Sequence, residues 1–189
     1  MVIVVAGDLR SGRRRVADAA AIAGRVASLG EWVEAVGILP ADEAGDRRLL
    51  ELRALRVGHA AVLRSTADGL DAADLDLALR YLPDISAIVL VEPPPGLVAT
   101  AVAAASWLGA GLVLVASEPV DLTGEAGRPD RVVVLGPPRS DPDGVFAELV
   151  AALAVRLAGG SSSADALSDA SSALGVERPS AELSEEPKP

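Results

Sequence analysis

The sequence predicts a three-layer α/β fold, in which a doubly wound, mostly parallel sheet carries helices on both faces. Short apolar runs alternate with amphipathic segments through most of the chain. Several of the runs are apolar at every position, which is typical of parallel strands buried on both faces. We therefore expect one Rossmann-like α/β domain over residues 1–158, with right-handed crossovers between its strands.

The apolar runs predict the strands, and helical spacing predicts the helices between them. The predicted strands cover residues 2–6, 32–39, 59–63, 86–91, 111–116 and 131–135. Apolar residues share a helical face in three intervening segments: Ile22, Val26 and Leu29; Leu75, Leu79 and Leu82; and Phe146, Leu149, Val150, Leu153 and Leu157. A further helix is predicted near 98–108, where the residues are almost entirely apolar.

Helix ends are marked by capping residues and prolines. Asp71, followed by Asp74, is typical of a helix N-terminus, and Pro83 of a helix end. Asp141 followed by Pro142 predicts a cap with proline at the first helical position. Residues 159–189 are rich in serine, glycine and acidic residues. They are predicted to form a mostly disordered tail with a transient helix over 163–174.

Composition limits the classes of function. The formal charge is −10, which argues against a nucleic-acid surface because phosphate binding depends on clustered cations. The chain has no cysteine, a single lysine (Lys188) and a single histidine (His59). These counts exclude thiolate chemistry and multi-histidine metal sites, and they argue against a lysine-dependent mechanism. The N-terminal apolar run is too short for a signal or membrane segment, so we expect a soluble cytoplasmic protein with no membrane partner.

The stretch after the first predicted strand has part of a phosphate-binding loop. Gly7 and Gly12 have the right spacing, but Arg13 and Arg14 stand where such a loop needs a lysine and then a serine or threonine. Arg13, Arg14 and Arg15 would lie in the first turn of a helix capped by Ser11, where they oppose the helix dipole. A solvated or ion-paired role is favoured over an anion site.

Candidate ligand-binding residues follow the predicted strands, where open α/β sheets bind ligands. The acidic residues Glu92, Glu118 and Asp121 follow the fourth and fifth strands, in proline-containing loops that a purely structural role would also explain. The full candidate set is Gly7, Asp8, Gly12, Arg13, Arg14, Glu92, Glu118 and Asp121. No catalytic residue, metal site or required cofactor is predicted, and His59 is expected to be structural or on the surface.

The segment LGEWVEAVGILPADEAGDRRLLELRALRVG (29–58) resembles the ribokinase-like (PfkB) carbohydrate and nucleoside kinases. Leu29-Gly30, Val36-Gly37, Asp42 and Gly45 match the LG pair, the strand ending in VG and the turn before a helix. SAIVLVEPPPGLVATAVAAASWLGAGLVLVASEPV resembles a later strand–helix–strand of the same family. The resemblance covers about residues 2–155 and implies the ribokinase-like fold.

The sequence also departs from that family at its functional positions. The family's sugar-binding aspartate falls at Gly12, and its substrate-contacting Gly-Gly and Asn fall at Val16, Ala17 and Ala21. The lid hairpins are missing between the third strand and the next helix. Gly136-Pro137-Pro138 replaces the Asn-Glu motif, and the Gly-x-Gly-Asp segment that supplies the anion hole and catalytic base is absent.

Three interpretations follow. The favoured one is a PfkB-like protein without kinase activity that binds a small molecule or a protein, and that forms a homodimer to cover an exposed sheet edge or apolar face. The alternative is a minimal kinase or nucleotide-binding protein that uses Mg-ATP through Arg13–Arg15 and the strand-end acids. The third is a doubly wound domain of another lineage, which an unfamiliar strand order would favour.

Overall fold

The structure, a computed structural model, describes residues 1–10, 17–67, 69–120, 122, 131–141, 143–175 and 181–183. Its strands are β1 (Val2–Ala6), β2 (Val33–Leu39), β3 (Gly58–Arg64), β4 (Ile85–Val91), β5 (Gly111–Val115), β6 (Val132–Leu135) and β7 (Ala181–Leu183). Its helices are α1 (Ala19–Ser28), α2 (Glu43–Ala54), α3 (Ala72–Tyr81), α4 (Pro95–Leu108), α5 (Val145–Ala158) and α6 (Ser163–Leu174).

The strands form one sheet in the order β3-β2-β1-β4-β5-β6-β7. All neighbouring pairs from β3 to β6 are parallel, and β7 pairs antiparallel with β6 at the edge. The six parallel strands are those predicted from the apolar runs, so the predicted fold class is confirmed. Nothing in the sequence indicated β7, whose three residues lie within the Ser-rich acidic C-terminal stretch.

Two apolar clusters lie on opposite faces of the sheet. They form the two interfaces between the sheet and the helical layers of a three-layer domain. One cluster joins alternate strand residues such as Ile3 and Val5 to α1, α2, α5 and α6. The other joins Val4, Ile88 and their neighbours to α3 and α4. Small side chains allow close packing: a Cβ on Gly111 of β5 would lie 2.6 Å from the Leu157 Cβ of α5.

The helix ends agree with the capping predictions only in part. Asp71 caps α3 by accepting from the Asp74 amide at 2.8 Å, as predicted. Asp141 accepts from the amides of Phe146 and Ala147, but α5 begins only after Gly144, whose φ of +73° turns the chain into the helix. Leu29 does not belong to the buried face of α1; it is the C-terminal cap residue and 54% exposed.

The first helix also begins later than the sequence suggested. Asp18 caps α1, with its carboxylate accepting from the Ala20 amide at 2.8 Å. The predicted Ser11 cap lies outside the described residues, as do Arg13, Arg14 and Arg15.

The segment after residue 159 differs from the expected disordered tail. The predicted helix over 163–174 is α6, which packs against α5 with Ala166, Leu167 and Ala170 almost completely buried. An ion pair of 2.8 Å between Arg156 and Asp169 joins the two helices. Alanine and serine give little hydropathy signal, so this buried face was not apparent in the sequence. Residues 176–180 and 184–189 lie outside the described part.

Candidate functional site at the carboxyl ends of the strands

The chain reverses its direction of winding between β1 and β4. From β1 the strands run outward through β2 to β3, and the chain then returns to place β4 and β5 on the other side of β1. This is the order of doubly wound dinucleotide-binding sheets, in which ligands bind beyond the carboxyl ends of the strands at the switch point. A cleft of about 440 Å³ lies there.

This switch-point cleft is lined by residues that follow β1 and β4. Polar groups come from Asp8, Arg10 and Glu92, while Ile38, Leu70 and Leu97 form an apolar wall. A smaller cavity of about 270 Å³, lined by Glu118 and Ser117, adjoins it and shares Glu92 and Pro93. The volume and the few polar groups within apolar walls are typical of small-molecule sites.

Gly7 and Gly37 let the strand ends approach one another. A Cβ on Gly37 would lie 2.6 Å from the Gly7 carbonyl oxygen and 2.8 Å from the Leu9 side chain. A Cβ on Gly7 would lie 3.0 Å from the Val91 carbonyl oxygen. Gly7 therefore allows β1, β2 and β4 to meet closely beneath the cleft, which accounts for it without a phosphate loop.

Asp8 is held by Arg10 at the floor of the cleft. Two nitrogens of the Arg10 guanidinium donate to the two Asp8 carboxylate oxygens at 2.9 and 3.0 Å, and the Arg10 amide also donates to Asp8 at 3.0 Å. The Asp8 side chain is 12% exposed. A bidentate pair of this kind fixes the direction of the carboxylate.

Glu92 lies immediately after β4 in a strained conformation. Its φ is +47°, which is uncommon for a residue with a side chain, and such strain is typically found at functional sites. Its carboxylate accepts from the Ser117 hydroxyl at 2.6 Å, and its amide donates to the Val115 carbonyl at 2.7 Å. These bonds tie the loop after β4 to the end of β5.

Arg48, which the sequence did not single out, holds the turn after β1. Its Nε donates to the Leu9 carbonyl at 2.9 Å, and its other nitrogens contact Asp18 at 3.2 Å and Glu51 at 2.8 Å. The Arg48 side chain is 13% exposed. Its position four residues before the buried Leu52 of α2 is the one sequence signal that separates it from the exposed Arg47.

The structure brings together only part of the predicted ligand-binding set. Gly7, Asp8 and Glu92 line the switch-point cleft, and Glu118 lies exposed at the adjoining cavity. Gly12, Arg13, Arg14 and Asp121 lie outside the described residues. His59 is exposed near the amino end of β3, at the opposite ends of the strands from the cleft.

Among the described residues, no group of three acidic or histidine side chains could hold a metal ion. The same part of the chain contains no helix that is both long enough and apolar enough to cross a membrane. What the cleft does offer is a set of fixed hydrogen-bond acceptors beside an apolar wall.

The structure is similar to crystal structures of sugar and nucleoside kinases. An aminoimidazole riboside kinase from Salmonella enterica, complexed with aminoimidazole riboside and an ATP analogue, matches with a TM-score of 0.60 and 12% identity, covering 92% of this chain and 91% of that one. A fructokinase with bound ATP from Xylella fastidiosa matches with a TM-score of 0.59 and 13% identity, covering 89% and 84%.

A PfkB protein from Polaromonas gives a TM-score of 0.55 at 11% identity, covering 94% of this chain and 97% of that one. No protein-family model matches the sequence, and no curated protein matches it. Likeness at this identity establishes the fold alone. The chain therefore has the ribokinase-like (PfkB) fold.

Proposed function

We propose that this protein binds a small hydroxylated molecule, a sugar or a nucleoside, in the switch-point cleft and does not transfer phosphate to it. The observation that carries the proposal is the convergence of Asp8 and Glu92 on one cleft, each held by a hydrogen-bonded neighbour. Fixed carboxylates accept hydrogen bonds from adjacent hydroxyl groups without having to reorganise.

The charge of the cleft favours a neutral ligand. Among the described lining residues, Asp8 and Glu92 carry negative charge, and the guanidinium of Arg10 is engaged by Asp8. An added anion would be repelled by Glu92, whereas hydroxyl groups would donate to it. The apolar wall formed by Ile38, Leu70 and Leu97 is suited to packing against a sugar ring or a base.

The absence of phosphate transfer is inferred from the chemistry that the sequence lacks. Phosphoryl transfer depends on positioning and on stabilising the charge of the transferred group. The Gly-x-Gly-Asp segment and the sugar-binding aspartate of the ribokinase-like kinases have no counterpart in the sequence.

A thermal-shift screen tests the proposal. The full chain is heated with ribose, fructose, adenosine, aminoimidazole riboside and Mg-ATP, each as a separate concentration series. A ligand at about 100 times its Kd should add roughly 2.7 kcal/mol to the stability of the folded state. We expect a sugar or a nucleoside to stabilise the chain, with an affinity that Glu92→Gln weakens at least tenfold. The control Glu43→Gln, on the exposed surface of α2, should leave the affinity unchanged. No stabilisation by any of them would contradict the proposal.

The alternative is a minimal kinase or nucleotide-binding protein, and the ATP bound to the fructokinase of the same fold is what favours it. It would use Arg13–Arg15 with Glu92, Glu118 and Asp121 to hold Mg-ATP. Under this alternative, Mg-ATP stabilises the chain, Arg13→Glu with Arg14→Glu abolishes that effect, and mass spectrometry detects a phosphorylated sugar or nucleoside.

We also propose that the protein is a cytoplasmic homodimer that pairs through α3 and α4. Helix α4 has no charged residue along its length, and helices that are apolar all round are normally covered. A groove of about 810 Å³ runs between the two helices, with Trp107 79% exposed beside it. Asp76 and Arg80 line the groove and pair with each other at 2.9 Å, so they present no unpaired charge to a partner.

A further inference from the structure

A second polar cleft lies at the amino ends of β2 and β3, whereas the switch-point cleft lies at the carboxyl ends of the strands. It has a volume of about 610 Å³ and is formed by the turn before β2, the end of α2 and the start of β3. Its lining includes Trp32, Glu34, Arg53, Arg56 and His59. None of these residues belongs to the switch-point cleft, so the two sites can be tested separately.

Glu34 is an acidic residue buried within the sheet. It is 8% exposed and stands in β2 between the apolar residues Val33 and Ala35. Its carboxylate accepts from the Trp32 indole at 3.2 Å and from the Ala60 amide at 3.4 Å. In the described part of the chain no cation forms an ion pair with it, whereas Asp18, Asp46 and other acids are paired. A buried anion is costly unless a positive group compensates it.

The backbone of β3 leaves space for this carboxylate. Gly58 is the residue opposite Glu34 in the neighbouring strand, and a Cβ on Gly58 would lie 2.1 Å from the Glu34 Oε1. The pairing register shifts just after this point, between Glu34 and Val36. The irregularity and the glycine together create a recess at the start of the sheet that the Glu34 carboxylate occupies.

Trp32 supplies an anchored aromatic surface beside the carboxylate. Its side chain is 67% exposed, yet its indole N–H is held by Glu34. Tryptophan is the best aromatic partner for a cation, and ammonium groups bind over its ring face. A carboxylate joined to an exposed tryptophan is therefore suited to an ammonium group.

Two arginines at the same cleft are suited to the opposite charge. Within the described structure neither Arg53 nor Arg56 has a side-chain hydrogen bond or ion pair, although acidic residues outnumber basic ones in this chain. Arg56 follows α2 with a φ of +61°, at a helix end where glycine is the usual residue. Backbone strain of this kind clusters at functional sites, which makes Arg56 a candidate for contact with a ligand.

We propose that this second polar cleft binds a free amino acid. Its ammonium group would pair with Glu34 beside Trp32, and its carboxylate with Arg53 and Arg56. The buried carboxylate would thereby gain the positive partner that it lacks, and the arginines a planar anion to which they can donate two hydrogen bonds. A simple anion would meet Glu34, and a simple amine would meet the arginines, so a molecule that carries both groups is favoured.

Tryptophan fluorescence tests this proposal directly. The chain has two tryptophans, so Trp107→Phe leaves Trp32 as the only reporter. This variant is titrated with each of the twenty standard amino acids, and with propylamine and acetate as probes that carry one group each. We expect saturable quenching or enhancement by at least one amino acid, and at least tenfold weaker binding of both single-group probes. No saturable change with any amino acid would overturn the proposal.

Two further substitutions separate a ligand-binding role from a structural one. Glu34→Gln retains one oxygen, which can accept from the Trp32 indole, but removes the charge. Arg56→Gly suits the positive φ while removing the cation. We expect each to weaken amino-acid binding at least tenfold in the Trp107→Phe background, with Arg56→Gly at least as stable as its parent. Arg47→Gln, on the outer face of α2, should bind as the parent does. Unchanged affinity in Glu34→Gln would show that the carboxylate serves only to hold Trp32 in place.

Discussion

The Glu92 carboxylate accepts a hydrogen bond of 2.6 Å from the Ser117 hydroxyl, and this contact joins the loops that follow β4 and β5. Glu92 has a φ of +47° and lies at the point where the winding of the sheet reverses. A strained acidic residue that a neighbouring loop holds in place is a preorganised hydrogen-bond acceptor. The contact places this acceptor between the switch-point cleft and the cavity beside it.

Ser117→Ala should weaken ligand binding at the switch-point cleft more than it affects stability. The contact is solvent-exposed, so its loss should cost about 1 kcal/mol or less in the free energy of unfolding. The affinity for the sugar or nucleoside should fall several-fold, because Glu92 is no longer held in one position. Urea unfolding and calorimetric titration measure the two quantities. Ser86→Ala, which removes a hydroxyl contact with the Asp84 carbonyl away from the cleft, is the matched control.

Arg48→Met should destabilise the turn after β1. The substitution removes the contacts with Leu9, Asp18 and Glu51, of which those with Leu9 and Asp18 are partly buried. We expect a loss of roughly 2 kcal/mol in the free energy of unfolding, since charged hydrogen bonds are worth more than neutral ones. Arg47→Met breaks only an exposed pair with Glu43 and should change stability by less than about 0.5 kcal/mol. Equal losses in the two variants would contradict this role for Arg48.

Gly37→Ala should disturb the floor of the switch-point cleft. The new methyl group would lie 2.6 Å from the Gly7 carbonyl oxygen, and backbone atoms cannot move aside as a side chain can. Overpacking of this kind typically costs about 1–3 kcal/mol. The same change at Gly136, where nothing lies within 4 Å of the added atom, is the control. Thermal unfolding should show a lower Tm for Gly37→Ala alone.

The proposed homodimer can be tested through Trp107. Sedimentation equilibrium of the full chain should give twice the monomer mass, and Trp107→Glu should shift the protein towards monomer because it places a charge in the apolar interface. Leu50→Glu changes a residue that is 65% exposed on α2, on the other face of the sheet, and should leave the mass unchanged. A monomer mass for the unmodified chain at all concentrations would rule out the dimer.

The strands could be predicted because their signal is local. Each parallel strand is a short apolar run buried on both faces, and the predicted limits differ from those of β1 to β6 by at most one residue. The limits of α5 and the partners of α6 depend on tertiary contacts that no local pattern contains. Asp141 caps α5 from a distance because Gly144 turns the chain, and apart from Leu167 the buried residues of α6 are alanines and serines.

The candidate site could be predicted in outline only. The carboxyl ends of parallel strands share an edge, so Asp8 and Glu92 could be placed together from their positions after β1 and β4. The strain at Glu92 and its bond to Ser117 depend on exact backbone geometry, which residue types do not specify. Glu34 was missed for a related reason: an acidic residue inside an apolar run resembles an exposed position, and only the pairing with Gly58 shows how it is buried.

Calorimetric titration of the full chain with adenosine and with ribose tests the central claim most directly. The account predicts saturable binding of at least one of them with one site per chain, weakened at least tenfold in Glu92→Gln. Binding that is unchanged in Glu92→Gln, or no saturable heat with either compound, would contradict a hydroxyl-binding site at the switch point.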